Sequence, residues 1–348
     1  MGLAPDASSS WGYLGMTLGL LAPQITVVSM KYAIIGAGIS GATLAHALHQ
    51  QGHDVTVFDK GRGAGGRMSS RRTEHGAVDH GAQYFTAQSP EFMDTIRQWI
   101  QAGWVQQWGD QVVASDGSSR RLSTSVQRFI GVPQMPGPIK GLLSQVTTHT
   151  QHTIQRARRQ DQAWWLDAAE AAQPLGPFDA VVSSVPLPQL PPLFADLPQP
   201  WLAQWSGISM TPCWALMVDW GHRAPADAFD GWFVNDPFVD WIAQNHRKPG
   251  RITQPHWTIH ATPAWSQVHE EAAPEAVIEH ARQWLSDRGF GAPAQIHAHR
   301  WRYARSEGEA AQAAYWDADL RIGVIGDWLG GGRVEGAWTS ARALLRHL

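Results

Sequence analysis

Cysteine, charge and long apolar runs are all scarce in this sequence, and each shortage excludes a class of protein. The 348 residues include one cysteine, Cys213, which excludes an intramolecular disulfide framework, a C-x-x-C redox centre and a cysteine metal cluster. A single cysteine fits a reducing compartment, and we therefore expect a cytoplasmic protein. Charged residues make up 16% of the chain and the formal net charge is −3, so charge gives no reason to expect a nucleic-acid partner.

The apolar run at residues 11–22 has neither the length of a membrane span nor the flanks of a secretion signal. No Lys or Arg precedes it, and Pro23 and Gln24 interrupt it before the roughly 20 apolar residues that a span requires. Met30 directly precedes the first predicted strand. We therefore expect residues 1–29 to be a dispensable extension outside the fold, and we expect no membrane partner. A weak membrane or export segment and a structural element are the alternatives.

The clearest positive signal is a glycine motif between an apolar strand and a helix. Residues 33–41 read AIIGAGISG, a G-x-G-x-x-G turn. Gly36 permits the tight turn, Gly38 lets the backbone approach a pyrophosphate, and Gly41 lets the helix pack close to the sheet. The free N–H groups of the first helical residues, Ile39 and Ser40, would hold the anion. The motif predicts dinucleotide binding.

An acidic residue and a second glycine-rich segment follow the next predicted strand. Asp59 ends that strand 18 residues after Gly41, close to the spacing of a carboxylate that binds ribose hydroxyls. The segment GRGAGGRMS comes directly afterwards at residues 61–69. Its glycines allow close backbone approach, and its arginines can face phosphate. We therefore assign further cofactor-binding roles to Lys60, Arg62, Gly66 and Arg67.

The C-terminal region carries a matching signal. A predicted strand over residues 320–325 ends in Gly326 and Asp327, and a glycine loop and an amphipathic helix follow. This strand end and the N-terminal turn must meet in one sheet, which suits a long cofactor across the sheet edge, and FAD fits better than NAD. Asp327 would hold the ribitol or a phosphate-bound water. The last helix begins near Val334, and its positive end would face the flavin pyrimidine.

The pattern of motifs predicts an α/β fold with two domains. A Rossmann-like FAD-binding domain would comprise residues 30–84, 131–187 and 296–348. A second α+β substrate domain, built on a mostly antiparallel sheet, would comprise residues 85–130 and 188–295. Apolar spacing predicts helices over 39–51, 89–102, 138–149, 274–288 and 334–347, and strands of the second sheet over 208–219, 232–243 and 257–261.

The motifs together resemble the renalase group of the flavin amine-oxidase-like superfamily, especially its bacterial members. The resemblance runs from about Met30 to Leu348 and is carried by IIGAGISG, VFDKGRGAGGRMSSRR, VDHGAQYFTA, FDAVVSSVP, HRWRYA and IGVIGDWLGGGRVEGAWTSARAL. It implies FAD in a p-hydroxybenzoate-hydroxylase-like fold. It also implies oxidation of the misreduced 1,2- and 1,6-dihydro isomers of NADH and NADPH, with hydride transfer to flavin N5 and reoxidation by O2 to give H2O2.

The resemblance also implies where the substrate binds. His260, Trp301 and Tyr303 match positions that line the flavin face in this group, and we take them as the candidate catalytic residues. Gln83 and Tyr84 lie where the chain crosses toward the substrate side, and they are candidate pocket residues. Core packing is the alternative for Trp301, because the chain contains 19 tryptophans. The alternative for His260 is a hydrogen-bonded strand histidine, and for Gln83 and Tyr84 it is packing of the crossover.

Two basic or imidazole-rich segments remain open to interpretation. Residues 245–251, NHRKPGR, would either meet substrate phosphates or form a solvated turn. His297 and His299 share a strand face, but no third ligand stands at metal spacing, so we expect no metal site. The expected partners are therefore a small-molecule substrate and O2, and the sequence does not indicate an oligomeric state.

The lysine count bears on the choice between related activities. Amine oxidases of this superfamily often place a lysine near flavin N5, and none of Lys31, Lys60, Lys140 and Lys248 is an obvious match. This observation weakens the alternative hypothesis of a flavin amine oxidase, or of another oxidase of small reduced substrates, without excluding that alternative. A flavin-binding sensor without turnover is a third reading. The sequence does not distinguish the preferred dihydronicotinamide isomer or NAD from NADP.

Overall fold

The structure is a computed structural model that describes residues 28–115, 119–121, 126–197, 200–222, 225 and 229–348. Nearly all of the expected extension at residues 1–29 therefore lies outside the described residues. At its end, the Ser29 hydroxyl donates a 3.0 Å hydrogen bond to the Gly52 carbonyl. The first strand begins two residues later, at Lys31.

A six-stranded sheet gathers strands from both ends of the chain. Five of its strands are parallel, and an antiparallel strand forms one edge. From that edge, the strands are Tyr315–Asp317, Ile322–Val324, Ala180–Ser183, Lys31–Ile35, Asp54–Asp59 and Thr147–Thr150. The carboxyl ends of the first strand of the chain and of the strand before Gly326 therefore lie on one edge of one sheet, as the sequence predicted.

Helices cover one face of this sheet and a small sheet covers the other. Tyr32 and Ile34 belong to a core with the helices, whereas Ala33 and Ile35 belong to a core with the small sheet, because successive strand residues face opposite sides. The small sheet consists of Ile154–Gln160, Ala163–Ala168 and Leu175–Phe178. The helices of the described chain are Ile39–Gln50, Pro90–Gln101, Gly137–Leu142, Leu190–Leu193, Pro263–Val268, Pro274–Asp287 and Arg333–Leu345.

A seven-stranded sheet forms the second half of the molecule. Its strands, in order, are Gln295–Glu307, Ser209–Asp219, His256–Ala261, Val239–Gln244, Gly231–Phe233, Val112–Ser115 and Ser119–Arg121. All neighbours are antiparallel except Gly231–Phe233 with Val112–Ser115. One face packs on the helix Pro274–Asp287 through an apolar core. These features confirm the predicted Rossmann-like domain and the mostly antiparallel second sheet.

Two two-stranded pairs connect the halves. The hairpin of Ser70–Thr73 and Gly76–Asp79 extends the glycine-rich segment, and Val105–Trp108 pairs with Arg128–Gly131. Short 3-10 turns cover Gly66–Met68, Leu187–Gln189, Pro200–Trp205, Asn245–Arg247 and Asp327–Leu329.

Two boundaries of secondary-structure elements differ from the sequence prediction. The helix expected over 138–149 ends at Leu142, and the threonine-rich stretch after it forms the edge strand Thr147–Thr150, which suits β-branched residues. The strand expected over 232–243 is interrupted at Asn235, whose φ is +54°. The strand Gln295–Glu307 pairs within the seven-stranded sheet, whereas our division placed residues 296–348 with the first domain. The domain division itself stays a prediction.

Candidate cofactor and substrate site

The three motif glycines have three different surroundings. Gly36 has a φ of +108°, and a Cβ there would lie 2.4 Å from Ser184 Oγ. A Cβ at Gly41 would lie 2.1 Å from the Gly36 carbonyl oxygen, so the helix start packs directly on the turn. A Cβ at Gly38 would meet no atom within 4 Å. Gly36 and Gly41 are therefore required by the fold, whereas Gly38 borders open space.

The open space at Gly38 lies at the start of the helix Ile39–Gln50. Gly38 is the N-cap residue, and no side chain caps the helix. Ile39 and Ser40 form its first turn, and Ser40 Oγ is buried without a hydrogen-bond partner. Uncapped N–H groups, a positive helix end and an unpartnered buried hydroxyl together suit a bound anion. The residues present therefore fit the pyrophosphate of a dinucleotide.

Asp59 stands beside this turn and is held in place by the backbone. Its Oδ2 accepts a 2.7 Å hydrogen bond from Ala37 N, and its Oδ1 accepts one of 2.6 Å from Gly61 N. A carboxylate oxygen can accept more than one hydrogen bond, so both oxygens can still accept from ribose hydroxyls. Lys60 and Arg62 are exposed, and within the described residues no hydrogen bond or ion pair engages either side chain.

An ion pair between Arg67 and Asp327 joins the glycine-rich segment to the C-terminal strand end at the sheet edge. The guanidinium donates to the two carboxylate oxygens of Asp327 at 2.9 and 2.5 Å, in a bidentate pair. Asp327 follows Gly326, whose N–H donates to Ser340 Oγ at 3.0 Å. Gly66 has a φ of +51°, and a Cβ there would lie 3.4 Å from Gly38 Cα. The glycine-rich segment, the N-terminal turn and Asp327 therefore surround one region.

The last helix begins beside the same region. It spans Arg333–Leu345, and Val334 in its first turn is half-buried against the core of the first sheet. Glu335 in that turn accepts hydrogen bonds from Gln88 N at 2.7 Å and Ser89 N at 2.8 Å. These bonds fix the helix start relative to the chain that leads to the second sheet.

A short segment, residues 79–84, crosses the face of the seven-stranded sheet and is called here the strap. Ala82 N donates to the Arg67 carbonyl at 2.8 Å, which attaches the strap to the glycine-rich segment. A Cβ at Gly81 would lie 2.0 Å from the same carbonyl oxygen, so only glycine permits this approach. On the opposite side, the carbonyl of His80 accepts from Trp301 Nε1 at 3.0 Å and contacts His260 Nε2 at 3.3 Å. Two predicted catalytic residues therefore meet at one strap carbonyl.

The imidazoles around the strap are neutral at neutral pH. Burial, reinforced by His299 and Arg71, lowers the pKa of His80 to about 3. Burial also lowers the pKa of His260 to about 4, although its bond to the His80 carbonyl opposes this change. The His80 ring lies 4.8 Å from the His299 ring and 5.0 Å from the Trp301 ring, centroid to centroid. Because a carbonyl only accepts, His260 Nε2 carries the proton in its bond to His80.

The remaining predicted pocket residues have different environments. Tyr303 is half-buried, two residues beyond Trp301 on the same strand. Tyr84 packs against Trp241, with 5.4 Å between ring centroids. Gln83 is 4% exposed, and its amide donates to two strap carbonyls, those of Asp79 and Gly81. The Gln83 amide therefore supports the strap backbone, and its role as a pocket residue stays a prediction.

A buried ionic network at the start of the strap was not predicted. Asp79 Oδ2 accepts from Lys248 Nζ at 3.1 Å and from Arg251 Nη2 at 2.7 Å, and all three side chains are fully buried. Burial would raise the pKa of Asp79, but the two cations outweigh it and hold the pKa at about 2. Burial lowers the pKa of Lys248 to about 8 against the opposing effect of Asp79. Lys248 and Arg251 of the segment 245–251 are thus buried and paired with Asp79 rather than solvated.

A separate cavity of about 240 Å³ lies farther along the same sheet face, at the tip of the hairpin Ser70–Asp79. It is lined by Thr73, Glu74, His75, Met217, Asp219, His256, Gln295 and His297. His297 and His299 do share a strand face, with Met217 and Ala215 as their paired residues. Among the described residues, no three or more His, Cys, Asp or Glu side chains are grouped to hold a metal ion. Within the same residues, no helix has the length and apolarity to cross a membrane.

Comparison with known proteins places the glycine turn in a known family of domains. Residues 34–99 match the model of the NAD(P)-binding Rossmann-like domain. A 52-residue stretch is 42% identical to 4,4'-diapophytoene desaturase (4,4'-diaponeurosporene-forming) of Staphylococcus aureus strain Newman. The match covers 15% of this chain and 10% of the desaturase, so the chain matches about a tenth of that relative's length.

Solved structures share the whole architecture. The putative protoporphyrinogen oxidase from Exiguobacterium sp. 255-15 has a TM-score of 0.71 and 12% identity, over 92% of this chain and 99% of that one. Cyclohexylamine oxidase from Brevibacterium oxydans IH-35A has a TM-score of 0.67 and 12% identity, over 92% and 98% of the two chains. An oxidoreductase from Methanosarcina mazei has a TM-score of 0.67 and 13% identity, over 91% and 100%. The chain therefore contains a Rossmann-like NAD(P)-binding domain within the mixed α/β fold of these proteins.

Proposed function

We propose that this protein is an FAD-dependent oxidase whose substrates are the 1,2- and 1,6-dihydronicotinamide isomers of NADH and NADPH. One structural observation carries the proposal. The open space at Gly38, with Asp59 and the glycine-rich segment around it, is called here the cradle. The strap is bonded to the cradle through Ala82 and the Arg67 carbonyl, and it contacts Trp301 and His260 on the second sheet. The strap would thereby fix the position of a substrate at the second sheet relative to a cofactor in the cradle.

Several residues support FAD rather than a nicotinamide dinucleotide as the resident cofactor. The cradle at Gly38 and the carboxylate of Asp59 would hold the adenosine diphosphate part. The Arg67–Asp327 pair lies at the same sheet edge and would hold the part of the cofactor beyond the adenosine diphosphate. A cofactor bound at both places must be long enough to extend from the N-terminal turn to the C-terminal strand end. Bound FAD supplies a hydride acceptor that O2 can reoxidise with formation of H2O2. The names of the structurally similar oxidases agree with such chemistry.

The wall formed by His260, Trp301 and Tyr303 supports a planar, uncharged reacting group. Trp301 and Tyr303 are half-buried aromatic side chains, and His260 is neutral with its Nε2 proton bound to the strap. A dihydropyridine gives up a hydride without a strong base, so a wall that only orients the ring suffices. Trp301 would pack on the ring face, and the buried strap beneath it would exclude water from that side.

A flavin amine oxidase is the second candidate, and the fold shared with cyclohexylamine oxidase favours it. The burial of Lys248 weakens it, because the ammonium is enclosed by Asp79 and Gln83 and has no exposed surface. A flavin-binding protein without turnover is the third candidate. These three functions predict different responses of the cofactor to reductants.

Anaerobic mixing of the FAD-loaded protein with candidate reductants tests the proposal. The dihydronicotinamide isomers should bleach the flavin absorbance rapidly, cyclohexylamine and putrescine should not, and admission of O2 should restore the colour with formation of H2O2. Bleaching by amines alone would establish the amine oxidase instead. No bleaching by any reductant would support the non-catalytic reading, and a protein that cannot be loaded with FAD would refute all three.

A variant of the wall separates the two half-reactions. Trp301→Ala should slow flavin reduction by about 100-fold, the cost of a misplacement of about 1 Å, and should leave FAD affinity and reoxidation unchanged. Arg302→Ala is the matched control, because Arg302 is the next residue on the strand and pairs with Glu270 and Glu271. Equal slowing of both half-reactions, or loss of FAD, would make Trp301 a packing residue.

A further inference from the structure

We propose that Lys248 is a positioning residue that holds the strap, and through it Trp301 and His260, in the geometry that orients the substrate. The inference rests on the proposed function for what the wall binds. The contacts from which it is argued are all formed between residues of the protein and involve neither substrate nor cofactor. They form a chain from Lys248 to Gln83, to the strap backbone and to the carbonyl of His80.

Lys248 is enclosed on every side. Its side chain has no exposed surface, and its Nζ lies 3.1 Å from Asp79 Oδ2 and donates to Gln83 Oε1 at 2.9 Å. The ammonium also lies 5.2 Å from the centre of the Trp108 ring. Lys248 therefore contacts the first residue of the strap and a residue near its other end, which lie four positions apart.

The Gln83 side chain passes this constraint to the strap backbone. Its Nε2 donates to the Asp79 carbonyl at 2.9 Å and to the Gly81 carbonyl at 3.0 Å. The carbonyl between these two belongs to His80, and it accepts from Trp301 on the opposite side. Holding the neighbouring carbonyls toward Gln83 thus turns the His80 carbonyl toward the wall.

Charge balance does not account for the buried lysine. Arg251 alone neutralises Asp79, with hydrogen bonds from Nε at 3.1 Å and Nη2 at 2.7 Å to the same carboxylate oxygen. A second buried cation leaves a net positive charge, and burying an unbalanced charge is unfavourable. What Lys248 adds, and Arg251 does not, is the bond to Gln83. The charged and titratable groups around Lys248 are Asp79, Arg251 and, at longer range, His260.

Lys248→Met tests the inference, because it removes the ammonium, keeps a similar volume and leaves the Asp79–Arg251 pair. In the FAD-loaded protein, the limiting rate of anaerobic flavin reduction should fall about 10-fold. We expect this loss to be smaller than the loss in Trp301→Ala, because all three wall residues remain. The FAD dissociation constant and the rate of reoxidation by O2 should not change. Lys140→Met, at an exposed lysine, is the control.

A double-mutant cycle shows whether Lys248 acts through the strap carbonyl. Trp301→Phe removes the indole N–H that binds the His80 carbonyl. Lys248→Met should therefore slow reduction much less in the Trp301→Phe background than in the wild type. Additive effects in the cycle would overturn the proposed route, as would slowing of reoxidation or weaker FAD binding in Lys248→Met alone.

Hydrogen exchange provides a readout that does not depend on turnover. The Ala82 amide, bonded to the Arg67 carbonyl, should exchange at least 10-fold faster in Lys248→Met, whereas the amides of the strand Lys31–Ile35 should not change. If no dihydronicotinamide reduces the wild type, the proposed function fails, but this measurement still decides the role of Lys248. Gln83→Leu should produce the same exchange pattern if Lys248→Met does not fold. Unchanged strap exchange would refute the inference.

Discussion

Replacing Gly38 with alanine should remove cofactor binding while leaving the fold intact. A Cβ at Gly38 would meet no protein atom within 4 Å, and φ at this position is not positive, so the added methyl group fits the empty cradle. The same methyl group would occupy the space that the pyrophosphate requires. Gly38→Ala therefore separates binding from folding at one of the three motif glycines.

The expected effect on stability is small because two terms oppose each other. Alanine is a poorer N-cap residue than glycine, by about 0.5–1 kcal/mol. Replacing glycine also reduces the freedom of the unfolded chain, which stabilises the fold by about 0.4–1 kcal/mol. The free energy of unfolding without ligand should therefore change by no more than about 0.6 kcal/mol in either direction. In contrast, the 2.1 Å contact that a Cβ at Gly41 would make with the Gly36 carbonyl should destabilise Gly41→Ala severely.

The expected effect on binding is large. Displacing the pyrophosphate from the helix start removes at least one hydrogen bond to a charged group, which contributes about 1.5–3 kcal/mol. The dissociation constant of FAD should therefore rise by at least about 10- to 150-fold.

Two measurements on the apoprotein check these expectations. Titration with FAD, followed by flavin fluorescence, gives the dissociation constant, and urea unfolding without ligand gives the stability. Wild-type FAD affinity in a folded Gly38→Ala variant would refute the assignment of the cradle. Unfolding of Gly38→Ala would contradict the proposal that a methyl group at this position meets no protein atom. A stable Gly41→Ala variant would contradict the account of helix packing.

Three further predictions concern the carboxylate of Asp59, the two buried histidines at the strap and the thiol of Cys213. Asp59→Ala should weaken FAD binding by about 1.5–3 kcal/mol, measured by the same titration, whereas Asp54→Ala at the exposed opposite end of that strand should not. Because the pKa values of His80 and His260 fall from 6.5 to about 3 and about 4, the unfolded chain binds more protons below pH about 6.5. Urea unfolding should therefore show stability falling from pH about 7 to about 5, by up to about 1.4 kcal/mol per pH unit for each histidine, and less in His80→Gln. Cys213 is buried and burial raises its pKa to about 12, so a thiol reagent should label it only after unfolding, and rapid native labelling would contradict its burial.

Local patterns account for the parts of the fold that were predicted. The turn at Gly36 and the helix from Ile39 are encoded by adjacent residues, and the helix Pro90–Gln101 is preceded by its own cap, Ser89, which accepts from Phe92 N. The meeting of both chain ends in one sheet followed from two strand-ending motifs of the same kind. These signals are short in sequence, so they remain readable without tertiary information.

The incorrect boundaries arose where tertiary pairing outweighed local pattern. Residues 143–149 carry helix-compatible apolar spacing, but Thr147–Thr150 gains a parallel neighbour in Asp54–Asp59 and becomes an edge strand. The strand Gln295–Glu307 pairs with Ser209–Asp219 along nearly its full length and so lies in the second sheet, whereas the domain division stays a prediction. Neither partner is adjacent in sequence, and propensity alone does not identify it.

The strap shows why the substrate side could be predicted only in part. Trp301 and His260 were named through a resemblance, but their common contact, the His80 carbonyl, lies 221 and 180 residues away from them. The segment around Lys248 was left open between a substrate-phosphate loop and a solvated turn, because four of its seven side chains can carry positive charge and such runs are usually exposed. The carboxylate partner of Lys248, Asp79, lies 169 residues earlier, at the end of the short strand Gly76–Asp79. A buried ionic network leaves no periodic signal, because each member needs only one partner at any distance, and so the positioning of the wall becomes visible only in the folded chain.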